Sequence, residues 1–348
     1  MSLQNSGSVR HVVTRKPGLM VVEEASLRAP GVDELVVDVE LVGLCGSDFH
    51  IYDGNHPYLA FPQVQGHEIV GTLRDDGPFP RGTRVVVDPL VPCDQCFACR
   101  RGHVNCCSRL QVMGVHLPGG LATSIVVARD RVHNAAGLTS DLAVLVEPMA
   151  VAMHAIARAE VAAGSTVLVI GAGSIGRSIA LAAVDVGARV VVTDREPTRL
   201  AKVRALGAER AVNSRHEELE LALREHFGED GPEIVIEATG VPAEILEAFQ
   251  QVAHSGTVVI VGVSSEDVAI PVSIFTRKEV SVRGSRNSRG TFDRAIALID
   301  RHRDLVGSWI SHRYDLDDAQ AALVFARDNP ASVTKVVVDV RSGRIMLP

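Results

Sequence analysis

Cys93-x-x-Cys96-x-x-Cys99, followed eight residues later by Cys107, sets four thiolates within one short stretch. Four sulfurs fill the tetrahedral shell of a structural zinc. Five of the six cysteines lie between Cys93 and Cys107, too clustered for a disulfide framework spread over the chain. Cys106 leaves open which of two neighbours is the last ligand, and a redox-sensing thiol cluster is the alternative use of the same residues.

The sixth cysteine, Cys45, stands in Gly43-Leu-Cys45-Gly-Ser47-Asp48-Phe-His50; Gly66-His67-Glu68 comes about twenty residues on, and Glu147-Pro148 later. One thiolate, one imidazole and one or two carboxylates at scattered spacing suit a catalytic zinc with an exchangeable position. Taken singly, an isolated cysteine is most often core and a lone histidine a satisfied polar residue.

A third constellation is Gly171-Ala-Gly173-Ser174-Ile175-Gly176, which follows an apolar run and opens an Ala-rich one. Gly171 can make the tight turn, Gly173 can admit a pyrophosphate, and Gly176 can pack helix on strand. The first N–H groups of the helix then face the phosphates. Asp194, about twenty residues on, can accept from the adenosine ribose hydroxyls and repel a 2′-phosphate, which favours NAD over NADP. Arg195 beside it, and Arg199 one turn further, keep NADP open, because guanidinium groups accommodate a 2′-phosphate. Val261, Arg286 and Asn287 complete the candidate cofactor contacts. Arg286 and Asn287 can line the cleft near the nicotinamide or meet a substrate carboxylate, or can be ordinary polar loop residues.

These residues need positioning elements. Short β-type runs at 35–41, 84–87 and 123–128, separated by Gly- and Pro-rich turns, predict an irregular, mainly β domain over 1–150, with the zinc lobe at about 93–107. From 151 to 288 strands alternate with helices (strands at 166–170, 189–193, 233–238, 257–262 and 279–283), predicting a doubly wound parallel sheet of about six strands. Residues 289–348 carry a helix at 292–300, a short strand near His312, a helix at 317–327 and a strand at 335–340, and are expected to return to the first domain. The fold class is α/β, and 348 residues suit two domains.

Composition narrows the function classes. Hydrophobic residues at 46% and charged ones at 22% match globular averages, while only 4% aromatics leave the core to Val, Leu, Ile and Ala. A net charge of −7 without a basic stripe argues against nucleic acid as a partner. No uninterrupted apolar run reaches 18 residues and the first ten residues are polar, so no membrane partner is expected and the cytoplasm is the expected compartment.

Together the motifs resemble the zinc-containing medium-chain dehydrogenase/reductase family, which includes alcohol, sorbitol and threonine dehydrogenases. The resemblance runs over nearly the whole chain, through Cys45-Gly-Ser47-Asp48, Gly66-His67-Glu68, the four-cysteine lobe, Glu147-Pro148, the glycine turn and Lys278-Glu279 leading to Gly284-Ser285-Arg286. It implies a GroES-like catalytic domain, a Rossmann domain, an active site in the cleft between them, two Zn2+ per chain, and a homodimer or homotetramer. By the same resemblance Cys45 and His67 are catalytic-zinc ligands, and Glu68 and Glu147 are carboxylates that bind the zinc directly or through water. Ser47 is the hydroxyl that takes the alcohol proton, and His50 the base at the outer end of the relay. The resemblance further implies that the substrate hydroxyl takes the open zinc position and its carbon gives a hydride to C4 of the nicotinamide. The stretch from Ser47 to Gly66 looks most like the polyol, threonine and sugar-acid branch, nearest to dehydrogenases of the L-galactonate or L-gulonate type. Gln65, where an apolar residue is common, and Leu121, where an aromatic is common, depart from the family pattern and bear on substrate identity. Phe49, Tyr58 and His116 are candidate pocket residues, with core packing as the other reading. The competing functions are an NADP-linked reductase, a threonine dehydrogenase-like enzyme and a non-catalytic protein that binds zinc and cofactor.

Overall fold

The computed structural model describes residues 8–55 and 60–341 and divides the chain into two compact units, 1–147 with 295–348, and 148–294. The divisions fall a few residues from those expected at 150 and 288. Tyr58 lies outside the described residues.

The first unit is built on a seven-stranded sheet. Its strands run in the order Val132–Asn134, Arg84–Val87, Glu68–Leu73, Glu34–Gly43, Val336–Asp339 and His312–Asp315, with Ser124–Ala128 also paired to Glu34–Gly43. A second, three-stranded sheet joins Leu19–Ser26, Ser8–Lys16 and Gln63–Val64. Valine and leucine side chains supply the core between these layers: Val37, Leu41, Val42, Val70, Val85 and Leu121 have no exposed surface. Each such side chain contributes about 1.5–3 kcal/mol on burial. The late strand Val336–Asp339 inserts beside strand Glu34–Gly43, Val337 opposite Gly43. The hairpin of Ser8–Lys16 and Leu19–Ser26 was not among the expected elements; its polar residues alternate poorly, and Pro17-Gly18 at the turn is the signal that marks it.

The second unit holds six parallel strands in the order Arg210–Asn213, Arg189–Asp194, Thr166–Ile170, Ile234–Glu237, Thr257–Ile260 and Ser281–Gly284. Helices cover the central strands on both faces, which is why Val167, Leu168, Val169, Val191 and Val235 are wholly buried and read as unbroken apolar runs. Pro197 and Pro242 start the helices Pro197–Ala205 and Pro242–Gln251 from the first position, where proline loses no hydrogen bond. Because the strands are parallel, their carboxyl ends share one edge. That edge carries Gly171, Asp194, Val261 and the 284–287 segment.

Among the described residues one stretch, Ser140–Ala159, is long and apolar enough to cross a membrane, and 78% of its apolar window is buried within the protein. It is a core helix.

Candidate metal and cofactor sites

Sheet register brings the first metal-binding group together. Glu68 pairs with Gly43, Val337 pairs with the same Gly43 on its other side, and Cys45 follows two residues later. A Cβ at residue 43 would lie 2.0 Å from Glu68 Oε2, so glycine there leaves the carboxylate its path. The Cys45 sulfur, a His67 nitrogen and a Glu68 oxygen lie within 4.8 Å of one another. His67 is 8% exposed and its Nδ1 is buried without a hydrogen-bond partner. Such an orphaned polar atom is costly unless another group satisfies it.

Charge at this group points the same way. Burial alone would push the His67 imidazole down, yet the Cys45 sulfur and the carboxylates of Asp48 and Glu147 outweigh it and hold His67 well above its ordinary value. Burial pushes the Glu147 carboxyl up to about 7; His67 and Lys335 oppose that rise and the like charge of Glu68 adds to it. An excess of buried negative charge around one sulfur, one nitrogen and one oxygen donor fits a divalent zinc. Glu147 belongs to the surrounding field and falls outside the three-ligand group.

Lys335 was missed at the sequence level as a site residue. Its Nζ donates to both Glu68 oxygens, at 2.6 and 2.7 Å, and to the Leu44 carbonyl at 3.3 Å. Burial would lower this ammonium, but Glu68 and Cys45 raise it. The signal available was a lysine heading the apolar run Val336-Val337-Val338. A charged residue there has to find a buried partner.

Ser47 and His50 sit on the short helix Gly46–Tyr52, capped by Cys45; Asp48 in its first turn reaches back, its Oδ2 accepting the Cys45 N–H at 2.9 Å. Spaced three apart, they share a helix face. Ser47 is half-buried and His50 exposed. Phe49 packs against the core of the first unit. His116 Nδ1 accepts the Val112 N–H at 3.2 Å, which gives its ring a role in closing the turn.

The second metal group is the lobe. The sulfurs of Cys93, Cys96, Cys99 and Cys107 lie within 4.8 Å of one another, while Cys106 is exposed and stands apart from them. Backbone N–H groups of Cys93 and Arg109 both point at Cys107 Sγ, at 3.3 Å. The N–H groups of Cys99 and Ser108 push the Cys96 thiol down to about 5. Four sulfurs with amide donors aimed at them fit a structural zinc, since the metal takes thiolates.

In the second unit the glycine turn follows strand Thr166–Ile170 and opens helix Ser174–Val186. Gly171 takes φ +96°, and a Cβ at Gly176 would meet the Gly171 carbonyl at 1.8 Å. Both positions exclude a larger side chain. Ser174 and Ile175 form the first helical turn, half-buried. Asp194 steadies the turn: its Oδ2 accepts the Ala172 N–H at 2.7 Å and its Oδ1 the Glu196 N–H at 2.8 Å. Arg199 approaches Asp194 at 3.7 Å, whereas Arg195 is drawn to Glu244 at 2.8 Å. The Val261 N–H donates to the Glu237 carbonyl at 2.9 Å, and Asn287 adopts φ +49° in the loop it shares with Arg286.

Comparison with known proteins matches the same two parts of the chain. Residues 31–137 match the family described as alcohol dehydrogenase GroES-like domain, and residues 174–301 the family described as zinc-binding dehydrogenase. The chain is 33% identical over 322 residues to L-galactonate-5-dehydrogenase of Escherichia coli K12, covering 91% of this chain and 94% of that one. It is 30% identical to sorbitol dehydrogenase of Bacillus subtilis, covering 88% and 90%. An alcohol dehydrogenase structure from Escherichia coli CFT073, complexed with NADH, superposes with a TM-score of 0.88 at 30% identity over 96% of this chain and 99% of that one. With a GroES-like domain, a six-stranded Rossmann sheet and both zinc-type donor groups, the chain belongs to the zinc-containing medium-chain alcohol dehydrogenase superfamily and is a zinc-dependent alcohol or polyol dehydrogenase.

Proposed function

We propose that this protein oxidises a secondary alcohol of a polyol or sugar acid, such as an aldonate, with NAD. The observation that supports it most is the convergence of Cys45, His67 and Glu68 within 4.8 Å around a buried, partnerless His67 Nδ1. The likeness to L-galactonate-5-dehydrogenase supports a sugar acid as the substrate class.

Cys45, His67 and Glu68, with Glu147 as the nearby alternative carboxylate, would hold a zinc whose Lewis acidity would ease ionisation of a substrate hydroxyl near neutral pH. Around it the chain's own groups do the remaining work. Lys335 holds the Glu68 carboxylate in place through hydrogen bonds to both of its oxygens. Ser47 Oγ would accept the proton of the substrate hydroxyl while releasing its own toward His50, which is exposed on the same helix face and would hand that proton to solvent. The N–H groups opening helix Ser174–Val186 receive the pyrophosphate, and Asp194 accepts from the adenosine ribose. NAD is favoured because Arg195 is occupied by Glu244. Arg199, 3.7 Å from Asp194, is the specific feature that supports NADP as the second reading.

Assembly is proposed as a homodimer or homotetramer. Strand Ser281–Gly284 ends the parallel sheet with Val282 45% exposed, an edge that a second copy can cover. Light scattering at the mass of a single chain would contradict this.

The test of the reaction is NADH appearance at slightly alkaline pH across polyols, aldonates and threonine, with NADP in parallel. Turnover on an aldonate or polyol with NAD is expected. Turnover on threonine alone, or with NADP alone, would replace the substrate or cofactor assignment.

A further inference from the structure

Gln65 has no exposed surface, and neither have Thr14 and Asp48, the two residues that hold its amide. Its Nε2 donates to the Asp48 carbonyl at 2.9 Å and to Asp48 Oδ1 at 3.3 Å, and its Oε1 accepts the Thr14 hydroxyl at 2.6 Å. The orientation follows from chemistry, because the Asp48 oxygens can only accept and the amide nitrogen has to face them. The Asp48 carboxylate in turn accepts the Cys45 N–H at 2.9 Å and the Gly66 N–H at 3.3 Å. One carboxylate thus ties the backbone of one proposed metal ligand to that of the residue preceding another. The second departure from the family pattern meets the first, since the Leu121 N–H donates to the Gln65 carbonyl at 3.0 Å.

An apolar residue at 65 would pack in this place with no polar group to satisfy. The chain instead buries an amide whose partners come from strand Ser8–Lys16 and helix Gly46–Tyr52. A fully satisfied buried network of this kind restricts its members to one arrangement.

We propose that Gln65, braced by Thr14, is a positioning residue of the metal centre: it fixes Asp48 between the Cys45 and Gly66-His67 segments and so sets where the thiolate and imidazole stand. The inference rests on the reading of Cys45 and His67 as ligands. Outer partners of metal ligands typically change metal affinity by about 10–100-fold when removed.

The test separates positioning from packing. Gln65→Leu alone strands the Thr14 hydroxyl, so the double variant Thr14→Val with Gln65→Leu is the informative one. It removes both partners of the Thr14–Gln65 bond and leaves an apolar contact there, while the Asp48 carboxylate keeps the Cys45 and Gly66 N–H groups. Zinc-loaded wild type and variant are compared for melting temperature and for zinc release to a chelator. Both are also compared for the cobalt(II)–thiolate absorption that Cys45→Ala abolishes. Expected are a melting temperature close to wild type, release of one of the two metals about tenfold faster, and a shifted Cys45-dependent band. Thr14→Ser, which keeps the hydroxyl, is expected to behave as wild type and Thr14→Val to show part of the effect; this pair decides the matter if the double variant folds poorly. Wild-type release and an unshifted band in the variants would overturn the role of Gln65 alone. A wild-type protein with no Cys45-dependent band would overturn the metal-site reading, and this inference with it.

Discussion

Lys335 and Glu68 form a buried ion pair in which one ammonium meets both oxygens of one carboxylate, with side chains 3% and 1% exposed. The partners are 267 residues apart in the chain and are brought together by the shared neighbour Gly43. Removing the cation leaves a carboxylate buried beside the Cys45 sulfur. Lys335→Met is expected to destabilise the protein carrying zinc only in the cysteine lobe, where no metal offsets the stranded carboxylate, by about 3–5 kcal/mol in denaturant unfolding. Lys335→Met combined with Glu68→Gln is expected to lose less than the single variant, and an equal or larger loss would contradict the pairing.

The lobe distinguishes two adjacent cysteines. Cys107 is buried with the other three sulfurs and Cys106 is exposed apart from them. Elemental analysis is expected to find the wild-type two zincs per chain in Cys106→Ser and one in Cys107→Ser. The reverse pattern would exchange the ligand.

Asp194 holds the glycine turn, and in the proposed cofactor site its carboxylate accepts from the ribose. Asp194→Ser loses a charged acceptor, a hydrogen bond worth about 1.5–3 kcal/mol. The kcat/KM for NAD is expected to fall about 10–100-fold, and that for NADP to fall less or rise, because Arg199 is released. A parallel fall with both cofactors would show that Asp194 does not discriminate between them.

On the surface, Arg28 and the Gly31 N–H hold the Glu34 carboxyl down at about 2, below its ordinary 4.5. Because the folded group titrates lower than the unfolded one, its stabilisation is present above about pH 4.5 and is lost as pH falls through about 2. The pair is exposed, so Glu34→Gln is expected to cost at most about 1 kcal/mol at pH 7. The gap between wild type and variant, followed by urea unfolding from pH 7 to pH 3, is expected to stay level to about pH 4.5 and narrow below it. A gap that widens on acidification would contradict the shift.

Local signals made much of this readable in the sequence. The run Arg84–Val87 and the βαβ alternation from Thr166 onward declare themselves through unbroken valines, and the Cys93-to-Cys107 spacing declares a zinc lobe without any tertiary information. What stayed hidden depends on register between distant strands. Nothing near Lys335 says that its partner is Glu68, and nothing near Gln65 says that Thr14 stands across from it. Their burial was the missing fact, and burial of a polar side chain follows from the completed sheet. Which carboxylate stands nearer was hidden for the same reason: the fold puts a Glu68 oxygen within 4.8 Å of the Cys45 and His67 donors and leaves Glu147 in the surrounding field.

Hydride transfer from a secondary alcohol, as proposed, depends on a zinc held by Cys45, His67 and Glu68. Its most direct test is removal and return of metal. The protein is treated with a chelator until one zinc per chain remains, and NADH formation from an aldonate or polyol is followed as zinc is added back. Activity is expected to vanish with the first zinc lost and to return in proportion as the second equivalent is restored, with Cys45→Ala failing to recover. Full activity in the one-zinc protein, or recovery by Cys45→Ala, would contradict the account.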